Sequence, residues 1–256
     1  MPSDEFETSY VPGDLYDVLS AIPEVRFHAG HLFLRYFWLV GSSSPHQASD
    51  LEDKEETTDD AKTALEVVTW DIAVACLAIS IKFHRDVLYP LDIIYTHEYL
   101  ALAPHDLTFE DLENAQRDVL EAIEFRIAGG SNPGAYFAEL WQALSMLQQL
   151  VGFDGGWARV QEHAWDVLCE ALQRPEVLQY PTSILTALSI MEGVLKTLEW
   201  RYKTAGVDSR GKTVKKRDGK SLRRLAVKAA KSVKLDIQDV LLISDVRLKP
   251  ALLYNI

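Results

Sequence analysis

Cysteine is almost missing from this chain, with Cys76 and Cys169 alone among 256 residues. Both fall inside apolar helical patterns, so a disulfide framework is not expected and reduced thiols of an intracellular protein are. No uninterrupted run of about 20 apolar residues occurs, so neither a membrane-spanning helix nor a membrane partner is expected. The opening MPSDEFETSY is acidic, unlike a signal or transit peptide. There is no phosphate-cradling glycine loop, zinc-ligand spacing or nucleophile elbow. No acid, base and nucleophile converge by pattern either, so a protein without catalysis, cofactor or metal is expected. His28 and His31, three apart on one predicted helix, are half of a metal site for which no second pair of ligands is evident.

Basic charge is in deficit. Lys and Arg total 26 against 38 Asp and Glu, a net charge of −12. The deficit is uneven. Asp50 to Asp60 holds seven acidic residues and one Lys, whereas Arg201 to Lys234 holds thirteen Lys and Arg and two Asp. Affinity of the whole molecule for nucleic acid is therefore not expected, while a local contact stays open.

What is present is helical pattern. At 48% hydrophobic residues, the chain can fill one large core or two small ones. Val67 to Arg85 contains neither Gly nor Pro. Val67, Val74, Leu77, Ala78 and Ile81 repeat at helical spacing, while Ala73, Ala75, Cys76 and Ser80 keep the other side small. Such a helix is expected to be surrounded by helices. Its charge waits at the exit, in Lys82, His84 and Arg85, where cations suit the helix dipole.

Around this element the pattern predicts helices over Asp14–Ala21, Glu24–Val40 and Pro90–Ala101. A capping-box-like start at Thr108 opens a further helix reaching Phe125, which Gly129 and Gly130 close. Asn132-Pro133 begins a second set: Pro133–Val151, Trp157–Gln173, Thr182–Trp200, Ser221–Val233 and Leu235–Val246. Thr182–Trp200 again places small residues, Ala187, Ser189 and Gly193, within an apolar helix. The expected fold is all-α, with two tandem five-helix domains. A flexible lead covers 1–12, the first domain 13–130 with an acidic insertion at 41–62, and the second 131–256 with a basic insertion at 201–220. The acidic insertion reads as a solvated loop, with a docking tail for a basic partner as the alternative. The basic insertion reads as an exposed excursion. Its run KTVKKR, with Lys212, Lys215, Lys216 and Arg217, suits nuclear import or a nucleic-acid contact.

Three segments in order carry a resemblance. CLAISIKF (76–83) resembles the central helix of a cyclin box. DLENAQRDVLEAIEFRI (111–127) resembles its fifth helix, and HAGHLFLRYFW (28–38) the second helix of transcription-type cyclins. The resemblance implies two tandem cyclin boxes and a nuclear protein, with a cytoplasmic pool also open. Its function would be to bind and activate a cyclin-dependent serine/threonine kinase in transcription, as a heterodimer or within a larger complex. It further implies that the central and fifth helices form a groove for the mobile helix of the kinase.

Kinase contacts then fall on Lys82, Phe83, Glu113, Gln116, Leu120 and Phe125. Lys82 matches the family's Lys. Gln116 stands where the family has Glu, so a charge-assisted bond becomes an ordinary one, and Glu113, on the same face, is a candidate substitute. Without the resemblance, Lys82 is a solvated helix-end cation and Phe125 plain core. DLYDVLSAIPEVRF lacks the Met-Arg-x-x-Leu pattern by which cell-cycle cyclins dock substrates. The competing reading is a cyclin-fold scaffold, or a transcription-factor-like protein, that binds nucleic acid or a non-kinase partner.

Overall fold

The computed structural model describes residues 22–42, 59–84, 94–127, 132–205 and 219–240. The expected helix Asp14–Ala21, the lead 1–12 and the run KTVKKR lie outside these residues, as do most of the acidic insertion and residues 241–256. Every regular element described is helical, and no strand occurs among them. The chain divides into two compact units. One is Met1–Gly129 with Leu172–Leu178, and the other is Gly130–Ala171 with Gln179–Ile256.

In the first unit, α1 spans Pro23–Ser42, α2 Asp59–His84, α3 Thr96–Leu100 and α4 Phe109–Ala122. α2 is longer than its apolar pattern suggests, because nothing from Asp59 onward breaks a helix. Its two halves differ. Ile72, Ala75, Cys76 and Ile79 are buried at helical spacing together with Ala78 and Ser80, whereas Leu65, Val68 and Trp70 are exposed. The buried half packs against α1 and α4, around a core that includes Val25, Leu32, Leu112, Val119 and Ile123. By length and composition, Lys62–His84 is long and apolar enough to cross a membrane, and 44% of its most apolar window is buried inside the unit. The expectation that no such stretch exists is corrected to that extent. Asp71 and Lys82 interrupt the run in the sequence, yet the helix as a whole stays strongly apolar.

Polar ties align the elements. His105 Nε2 donates to Asp71 Oδ1 at 2.8 Å and fixes the loop before α4 onto α2. Thr108 Oγ1 accepts from Asp111 N, and Asp111 Oδ2 accepts from Thr108 N, the expected capping box. α4 ends at Ala122, three residues short of the expected Phe125. Phe125 N donates to Leu120 O and Glu124 N to Glu121 O, the pairing of a Schellman turn. Glu124 and Phe125 both take positive φ, 53° and 57°, a conformation costing roughly 1–2 kcal/mol per non-glycine residue.

The second unit contains α5 (Pro133–Ala143), α6 (Ser145–Val151), α7 (Gly156–Ala171), α8 (Thr182–Ala205), α9 (Gly219–Ala229) and α10 (Lys231–Val240). Asn132 Oδ1 caps α5 by accepting from Gly134 N, with Pro133 in the first turn. The expected continuous helix Pro133–Val151 breaks at Leu144, whose extended ψ of 91° buries its side chain. Gln148 Nε2 donates to Trp141 O across the break. Trp141, expected inward, is only half-buried.

α7 and α8 form the tightest pair of this unit. A Cβ on Gly193 would lie 2.5 Å from Val160 O, so glycine is what lets the two backbones approach. Thr186 and Ser189 are fully buried, with hydroxyls returned to Thr182 O and Ser189's to Thr186 O. Arg223 on α9 clamps α8 from outside, donating to Glu192 at 2.5 Å and Glu199 at 2.9 Å. Leu222, Ala226, Ala230, Val233 and Ile237 continue one buried stripe across α9 and α10.

Gly→Ala in an exposed helix gains about 1 kcal/mol. At Gly193 the sign reverses. Gly193→Ala is expected to lower the urea-unfolding free energy of the second unit by about 1–3 kcal/mol, as overpacking does. A stabilised variant would show that the α7–α8 approach is not close.

Candidate functional site

The exit of α2 and the outer face of α4 meet at a hollow of about 140 Å³, lined by Ala78, Ile81, Lys82, Leu112, Glu113 and Gln116, with α3 at its side. Lys82 Nζ donates to Gln116 Oε1 at 2.7 Å, and Gln116 Nε2 donates to Leu112 O at 3.2 Å. Gln116 is thereby locked between a cation and its own helix, and the ammonium keeps two further donors. Lys82 makes no ion pair with a described carboxylate. Glu113 lines the same hollow without pairing to it.

The remaining expected residues surround this pair to different degrees. Phe83 is 43% exposed, Phe125 66% and Phe109, which also lines the hollow, 53%. Phe125 therefore lies at the surface and not in the core, on the turn after α4. Leu120 is half-buried against the core, and its carbonyl holds Phe125 N. The structure therefore brings Lys82, Glu113 and Gln116 together at one hollow. Phe83 and Phe125 share only the supports described next. Lys212, Lys215, Lys216 and Arg217 lie outside the described residues.

Sequence reasoning missed those supports. His28 Nε2 donates to Ile127 O at 3.0 Å, and Arg35 Nη1 to Arg126 O at 3.0 Å. Two side chains of α1 thus hold the strained turn that carries Phe125. The carbonyl can only accept, so the His28 proton sits on Nε2 and Nδ1 faces Ser80 Oγ at 3.2 Å. Ser80 Oγ donates to Val25 O at 3.0 Å. The His28 ring packs 5.1 Å from Phe83 and 5.0 Å from His84. His31 instead stacks on Phe27 at 5.9 Å, so the two histidines considered as a metal pair have separate roles. Among the described residues, no group of three or more His, Cys, Asp or Glu is placed to hold a metal ion. A His three residues after Val25, facing a lone Ser in an apolar helix, was the available signal.

Burial lowers the pKa of His28 and brings His31 and His84 down to about 4, with Arg35 adding to the first two and His28 to the last. Burial pushes the Cys76 thiol up to about 12, so it is inert as a nucleophile at neutral pH. No family model, curated protein or solved structure matches the chain.

A histidine whose folded pKa lies below its unfolded value binds its proton more readily unfolded. Its contribution to stability is complete above pH 6.5 and is lost as pH falls toward 4. The first unit should lose about 1.4 kcal/mol per pH unit for each such histidine within that window. His84→Phe is expected to make the dependence shallower, measured as urea-unfolding free energy between pH 7.5 and 5. An unchanged slope would show that His84 is not desolvated.

Proposed function

We propose that the chain is a cyclin-like regulatory subunit that binds and activates a cyclin-dependent serine/threonine kinase, without catalysis of its own. The observation that carries this reading is the Lys82–Gln116 bond at a hollow that the exposed Phe109 also lines, with the exposed Phe83 following Lys82 in the chain. The three segments that resemble a cyclin box also support it, since they lie on α1, the buried half of α2 and α4, which pack on one another. A nuclear location and a role in transcription belong to the same proposal.

The physical mechanism is a population shift. A mobile helix of the kinase that buries Phe83 and Phe125 gains apolar contact in its active position alone, and only such differential contact moves an equilibrium. Lys82, with two ammonium donors left over, caps backbone carbonyls of that helix. Gln116 holds Lys82 in place as a neutral acceptor.

Losing Lys82 would leave those carbonyls unpaired at a desolvated edge, worth about 1–3 kcal/mol. Lys82→Glu adds an acceptor facing acceptors and should remove most kinase association. The fold should survive, because the Gln116 amide can turn its NH₂ toward the new carboxylate. Gln116→Glu should bind as well as the parent or better, by making the bond to Lys82 charge-assisted. Titration calorimetry against kinase, with melting temperature as the fold control, reads both. A folded Lys82→Glu protein that binds and activates like the parent would remove this surface from the function.

A further inference from the structure

The second unit bears a different surface. Where the start of α7 meets the end of α8, two arginines sit over aromatic rings. The Arg159 guanidinium sits 3.9 Å from the centre of the Trp200 ring, and that of Arg201 lies 4.1 Å from the centre of Phe153. Trp157, in the first turn of α7, stacks on Trp141 with ring centres 4.6 Å apart at 20°. Trp200 remains 39% exposed. Four aromatic rings and two guanidinium groups therefore share one end of the unit.

Neither arginine pairs with a described carboxylate or hydrogen-bonds a described group. The neighbouring Glu199 is occupied by Arg223. A guanidinium lying on a ring is oriented by that ring, and its N–H edge stays free for a planar anion such as phosphate. Charge favours an anionic partner here and not on the first unit. The second unit has 17 Lys and Arg against 12 Asp and Glu, whereas the first has 9 against 26. Within the second unit the charge concentrates after this point. From Arg201 to Arg217 the sequence has seven basic residues and one Asp.

We propose that this end of the second unit binds single-stranded nucleic acid, with Arg159 and Arg201 on phosphates and bases stacking on Trp200 and its aromatic neighbours. An exposed ring, Trp200, with half-buried rings and cations beside it is what a flexible strand needs. Rings stack on any unpaired base and cations follow the backbone, whereas a duplex hides its base faces. An acidic peptide would use the cations but leave the rings idle. The surface lies in the other unit from the kinase groove, so the two proposals fail separately.

The test is fluorescence anisotropy of the full chain with labelled oligouridylate and oligothymidylate of about 20 nucleotides, over a salt series. A duplex of equal length, a polyglutamate peptide and phosphatidylserine vesicles serve as competitors. Single strands should bind with a Kd of about 10 µM or tighter at low salt. The double variant Arg159→Gln, Arg201→Gln should bind at least about tenfold more weakly. Its plot of log K against log salt should be shallower by about 1.4, the release expected of two lost phosphate contacts. Trp200→Leu should weaken binding while leaving that slope unchanged. Circular dichroism melts confirm that the variants fold, and a variant that does not is replaced by Arg201→Lys, which keeps the charge and loses the planar guanidinium. Several outcomes overturn the proposal. These are absence of binding by the parent, unaltered binding by the double variant, equal binding of duplex, and displacement as effective by polyglutamate or vesicles as by unlabelled strand.

Discussion

Everything in the first unit follows from burying the small-residue half of α2. Ala75, Cys76 and Ala78 allow α1 and α4 to approach, but Ser80 arrives in the core with them and is fully enclosed. A hydroxyl enclosed without a partner would cost about 1–3 kcal/mol. Val25 O and His28 supply the partners. Burial disfavours the charged form of His28, and its other nitrogen reaches Ile127 O beyond the end of α4. A packing requirement in the last turns of one helix thereby fixes the turn that displays Phe125 and the ring that backs Phe83. The hollow beside Lys82 depends on the same close approach of α2 and α4.

The second unit solves a similar problem differently. α8 carries its small residues in the middle, and Gly193 lets α7 come within a distance no side chain permits. The buried hydroxyls of Thr186 and Ser189 bond within the helix itself, whereas that of Thr197 is buried without a described partner. The polar investment goes to the outside, in the Arg223 clamp and the arginines stacked at the helix ends. This division leaves the first unit acidic, with Lys82 and Glu113 at its hollow, and the second basic, with arginines over aromatic rings.

Helix content was legible because apolar spacing and punctuation agree. Asn132-Pro133 and the Thr108–Asp111 box start helices where expected, and the small residues of α2 are buried as their pattern implies. The misses have physical causes. The extension of α2 back to Asp59 places polar and exposed residues on a helix, where no periodicity marks them. The break at Leu144 needs no Gly or Pro, because burying Leu144 and bonding Gln148 to Trp141 O compensate for the interruption. The early end of α4 rests on two non-glycine residues at positive φ, held by His28 and Arg35 from 91 to 99 positions away. Local sequence cannot report such tertiary support. For the site, it was the resemblance and not local pattern that set Lys82 beside Gln116 and Glu113, which share one hollow, while the exposure of Phe125 depends on a turn that no local pattern announces. The aromatic ends of the second unit gave no pattern, since Phe153, Arg159, Trp200 and Arg201 meet only through the fold.

The proposed function requires that the chain switch on a kinase by holding one of its helices. Purified monomeric cyclin-dependent kinases, each inactive alone, can be assayed singly for phosphate transfer to a generic peptide, with and without the full chain at saturating concentration. The expected result is that at least one kinase gains activity and co-elutes with the chain as a stoichiometric complex. If none gains activity and none co-elutes, the groove beside Lys82 does not serve a kinase of this class.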